Sequence, residues 1–128
     1  MLKNLLISAL LVGGATSGTA LAQRATPWTQ LGARDAGGAD QRIVNVGGRM
    51  AGSFHVLALE ASKGVPMVKR VTVKFGDNTR QIVELGSRKI DRSNPRITIP
   101  LEGGSRYVDS VTIDLDRDSY GEVVVSGA

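Results

Sequence analysis

The chain has 128 residues, no cysteine, one histidine, and 16 basic against 12 acidic residues, for a net charge of +4. That length suits one domain with one core, and the lack of cysteine excludes disulfide staples, thiolate catalysis, thiolate metal sites and a lipid-modified cysteine. The basic excess is small and interleaved with acids, unlike the one-sided stripe of a nucleic-acid-binding protein.

Residues 1–22 read as a cleaved export signal. Lys3 gives the positive start, Leu5 to Val12 the apolar run, and Ala20-Leu21-Ala22 a small-x-small cleavage site. The run is shorter than the ~20 residues of a membrane span. Residues 23–128 then form one domain, expected in the periplasm or outside a bacterial cell, with no transmembrane span.

Gln23 to Pro27 is a lead-in. Trp28, the only tryptophan, is expected to plug one end of the core, since a buried aromatic brings a large apolar area. A sugar-stacking platform is the competing reading. Arg34 to Asp40 is a polar loop, and Ile43, Val44 and Val46 mark a short strand ended by Gly47-Gly48. No lysine-serine pair follows those glycines, so they are a turn before they are a phosphate cradle.

Phe54 to Ala61 is apolar on both faces and reads as a central strand. His55 lies in it. One histidine without converging carboxylates is no metal site, and without a nearby serine and acid it is no catalytic base.

Lys63 to Pro66 turns the chain into its organising hairpin, Met67 to Leu85. Val71, Val73 and Phe75 alternate with Arg70, Thr72 and Lys74, which is the period of a half-buried strand. Val83 and Leu85 carry the inward phase of the return strand. Odd-numbered core positions on both strands require an odd-length loop. A three-residue loop, Gly76 to Asn78, sets Val83 opposite Val71 and Glu84 opposite Arg70, with Asn78 left-handed. A five-residue loop through Arg80 is the alternative.

Gly86 to Pro95 reads as the longest polar connection, a crossover between sheets. Ile97, Ile99 and Leu101 form a strand that lies at an edge or ends at Pro100, whose missing donor must point away from the ladder. Glu102 to Ser105 is a turn, Val108 to Leu115 a strand, and Val123 to Val125 the last strand. These segments predict an all-β fold, a single antiparallel β-sandwich of about seven or eight short strands.

Asp114, Asp116 and Asp118 imitate the start of a calcium loop. Ser119 stands where the turn needs glycine, and Val125 where it needs a bidentate glutamate. The reading is a solvated β-turn, with Asp114 pointing away from Asp116 and Asp118.

The pattern resembles a family of small exported bacterial proteins built on a domain of unknown function. The matching pieces are Trp28 to Arg34, Arg70 to Asp77 with Gln81, Gly104 to Val108, and Val123 to Gly127. The chain departs from the pattern after Ile113, where Leu115 to Asp118 replaces an aromatic-rich strand end. The resemblance implies a β-sandwich and no activity or cofactor.

The expected function is that of an exported, non-catalytic envelope module that binds a protein or an anionic surface polymer, without cofactor or metal. Arg70 and Lys74 on the hairpin, with Arg88, Lys89 and Arg92 in the polar connection, are the candidate partner contacts. A small enzyme or a carbohydrate-binding domain is the alternative. No G-x-S-x-G elbow exists, and no spacing selects a carboxylate pair.

Overall fold

A computed structural model describes residues 27–128. The expected export signal, with its cleavage site, lies outside the described residues. Nine strands form among the described residues: β1 (Thr29–Asp35), β2 (Gln41–Asn45), β3 (Ser53–Phe54), β4 (Val56–Lys63), β5 (Met67–Phe75), β6 (Arg80–Lys89), β7 (Arg96–Pro100), β8 (Arg106–Leu115) and β9 (Glu122–Gly127). The count exceeds the expectation because a bend at His55 splits the predicted Phe54–Ala61 strand into β3 and β4. A 3-10 turn, Gly48–Ala51, begins within the Gly47-Gly48 break.

Two antiparallel sheets pack face to face as a β-sandwich. One runs in the order β1-β9-β4-β7, the other β2-β8-β5-β6, with β3 pairing β8. The core between them is aliphatic. Leu57 and Leu59 of β4 and Val123 and Val125 of β9 face Val71, Val73 and Phe75 of β5 and Val111 and Ile113 of β8 in one buried cluster. β7 is an edge strand and ends at Pro100, so both placements open to that proline are realised.

The β5–β6 hairpin has the expected register. Val71 stands opposite Val83 and Arg70 opposite Glu84. Phe75 N–H donates to the Thr79 carbonyl at 2.9 Å and Asn78 N–H to the Phe75 carbonyl at 3.0 Å, which closes a three-residue loop. Asn78 has φ 70°.

The polar connection after Leu85 is shorter than its composition suggests. β6 continues to Lys89, so Arg88 pairs with Val68 and Lys89 with Met67. Gly86 and Ser87, at φ 61° and 60°, are the bulge that lets the strand resume. Only the stretch from Ile90 to Pro95 is a loop.

Trp28 is no core plug. It is half-buried, and its ring lies 4.9 Å from the Arg96 guanidinium. Trp28 precedes one edge strand of its sheet and Arg96 begins the other. The indole therefore reaches across the outer face of that sheet. Ala58 and Ser126 are 1% and 8% exposed although their phase is outward, consistent with such a cover. Glu60 holds Arg96 from the side at 2.9 Å. Removing the cation in Arg96→Ala should cost about 0.5–1 kcal/mol. Acrylamide should then quench Trp28 fluorescence more strongly than in the parent protein.

Candidate functional site

The period of two and the strand registers together arrange the outer face of the β2-β8-β5-β6 sheet. Its outward side chains fall into three rows of four. Asn45, Ser110, Lys74 and Arg80 form one row. Ile43, Thr112, Thr72 and Ile82 form the middle row, and Gln41, Asp114, Arg70 and Glu84 the third. They line an open groove of about 700 Å³ together with Asp109. Ile43 and Ile82 are large apolar side chains left exposed at its two margins, at 49% and 61%.

Electrostatically the face is balanced. Arg70 Nε donates to Glu84 at 2.7 Å and Arg70 Nη1 lies 3.6 Å from Asp114. The Glu84 hydrogen bond and charge raise the Arg70 pKa further, with Asp114 adding to them. Lys74 sits 3.6 Å from Asp109. Arg80 has the cation Lys74 as its cross-strand neighbour and makes no ion pair among the described residues.

The five candidate contacts therefore divide. Arg70 and Lys74 lie on the groove floor and are already paired with carboxylates. Arg88 and Lys89 lie beyond the bulge at the end of β6, exposed and in no ion pair among the described residues. Arg92, in the loop from Ile90 to Pro95, borders a separate cavity of about 400 Å³ with Ala61, Val65, Ile90 and Pro95. Three loops are tied together at that end of the sandwich. Ile90 N–H donates to the Pro66 carbonyl, Asp116 N–H to the Met67 carbonyl, and Tyr120 N–H to the Val65 carbonyl. The sequence reading missed Arg80 and Ile82, whose importance comes from an edge position that only the strand order reveals.

The aspartates of the calcium-like stretch are employed separately. Asp114 faces the groove beside Arg70, while Asp116 accepts from Asp118 N–H at 3.0 Å and from the Ser87 hydroxyl at 2.7 Å. Those two bonds, with Asp118 N–H the larger cause, hold the Asp116 carboxyl below the usual range. Asp77 is lowered in the same way, first by the Thr79 hydroxyl and Thr79 N–H and then by the Arg106 charge. Among the described residues no three acidic or histidine side chains converge on one point. His55 is exposed at the break between β3 and β4.

A carboxyl with a folded pKa below its unfolded value contributes stability above the unfolded pKa. The contribution is lost as pH falls through the folded pKa. The protein should therefore lose stability as pH drops below the ordinary aspartate value of about 4. Urea melts across that range should show a shallower loss for Asp116→Asn than for the parent protein, because asparagine has no proton to take up.

Fold and site define a small all-β sandwich with an open, strand-built groove of mixed charge. The chain belongs to the family described as Domain of unknown function (DUF2541), which matches residues 5–127. No curated protein and no solved structure matches it.

Proposed function

We propose that this protein is an exported, non-catalytic envelope module that binds a protein or an anionic surface polymer. The supporting observation is the set of exposed cations Arg88, Lys89 and Arg92, which are free of ion pairs among the described residues at the end of the sandwich where three loops are bonded together. Cations left without a partner on a braced scaffold can take an anionic ligand without first breaking an internal pair. Arg70 and Lys74 contribute less, because Glu84, Asp114 and Asp109 already neutralise them.

Carbohydrate stacking loses its best platform, since Arg96 occupies one face of the Trp28 indole. The test is affinity capture from an envelope extract. The parent protein should retain a specific partner, and the combined Arg88→Ala, Lys89→Ala and Arg92→Ala variant should lose most of it. Unchanged capture by the triple variant removes these residues from the binding site.

A further inference from the structure

We infer that the free edge of β6 pairs with the same edge of a second copy of this chain, joining two sandwiches through one continuous sheet. Among the described residues β6 is the last strand of its sheet and has only β5 as a neighbour. The hairpin closure fixes which backbone groups remain unused. Phe75 N–H bonds to the Thr79 carbonyl, so hydrogen-bonded pairs fall at Val73–Gln81 and Val71–Val83. The N–H and C=O groups of Arg80, Ile82 and Glu84 therefore point away from β5, to the open edge.

The usable edge is short and has a defined centre. The hairpin turn ends it before Arg80, and the Gly86-Ser87 bulge ends it after Glu84. An antiparallel two-fold pairing centred on Ile82 sets Ile82 against its own copy and Arg80 against Glu84 in both directions. Shifting the register to centre on Gln81 or Val83 loses both opposite-charge pairs. The side chains fit this arrangement. Ile82 is 61% exposed. Arg80 faces the like charge of Lys74 and has no acidic partner among the described residues, which Glu84 of a second copy supplies. Glu84 uses one oxygen on Arg70 and has capacity for another donor. Cross-strand aliphatic and opposite-charge pairs stabilise a sheet, and an unpaired edge is a template for such pairing.

One strand pair buries less than a standard interface, so the dissociation constant should be on the order of 100 µM. Hydrogen exchange on the unmodified protein reads this directly. The amides of Ile82 and Glu84 should gain protection as concentration rises through that value, while those of Gln81 and Val83 stay protected throughout. Sedimentation should show a monomer–dimer equilibrium over the same range. Arg80→Glu and Glu84→Arg should each be monomeric, and an equimolar mixture of the two should dimerise, because their charges are then complementary in both directions. A monomer up to about 1 mM, or Ile82 and Glu84 amides that exchange freely at every concentration, would overturn the inference. So would a dimer that both single variants retain. Protection that appears only when a different protein is added would assign the edge to that partner and reject the second copy.

Discussion

Gly121→Ala should lower the stability of the fold by about 3–5 kcal/mol, combining backbone strain with overpacking. Gly121 has φ 99°, which an L side chain rarely adopts. A Cβ there would also lie 2.1 Å from the Lys63 carbonyl oxygen and 2.7 Å from the Gly64 Cα. Both are backbone atoms, so no rotamer change relieves the clash. Gly64 presents the same problem in reverse, with its own Cβ position 2.5 Å from the Gly121 Cα. The two glycines let the β4–β5 and β8–β9 connections touch backbone to backbone. Gly104→Ala is the control. Its φ is 81° and nothing lies within 4 Å of the new methyl, so it should cost only the strain of about 1–2 kcal/mol. Thermal melting separates the two, with a fall of at least about 12 °C expected for Gly121→Ala. Equal losses in the two variants would show that strain alone acts at Gly121.

Gln81→Met should cost about 2–3 kcal/mol although it conserves the volume and unbranched shape of the side chain. Gln81 is a polar residue only 8% exposed. Its amide nitrogen donates to the Pro100 carbonyl at 3.0 Å, and its oxygen accepts from Glu102 N–H at 2.9 Å. β6 belongs to one sheet and β7 to the other, so this amide straps the two sheets together at the β7–β8 turn. Methionine leaves both backbone groups without their partner in a partly buried place, which costs more than the bonds themselves contribute. Urea unfolding measures the difference. A loss under about 0.5 kcal/mol would mean that water replaces the amide fully. Arg106 braces the same corner. It stacks 3.8 Å over the Phe75 ring, donates to the Glu102 carbonyl and contacts Asp77 and Thr79 at the hairpin tip. Loss of Gln81 should therefore loosen the β6–β7 junction more than the hairpin tip.

The amino-acid sequence by itself determined the class of fold and the central hairpin. Val71, Val73 and Phe75 against Val83 required an odd loop, and the folded chain selects three residues over five, with Asn78 left-handed and Arg70 opposite Glu84. The missing N–H of Pro100 required the strand to lie at an edge or to end there, and β7 does both. Tertiary structure alone decided the order β2-β8-β5-β6, because strands distant in the chain choose neighbours by packing, which no local period encodes. That order brought Asp114 to Arg70 and Asp109 to Lys74, turning two expected partner contacts into internal ion pairs. It also left β6 at an edge and drew Arg88 and Lys89 into it, since Gly86 and Ser87 could supply a bulge where composition suggested a loop. Trp28 lay beyond sequence reasoning for the same reason. Whether an indole enters a core or lies over a sheet depends on where Arg96 and Glu60 stand across that sheet, and only the folded chain fixes it.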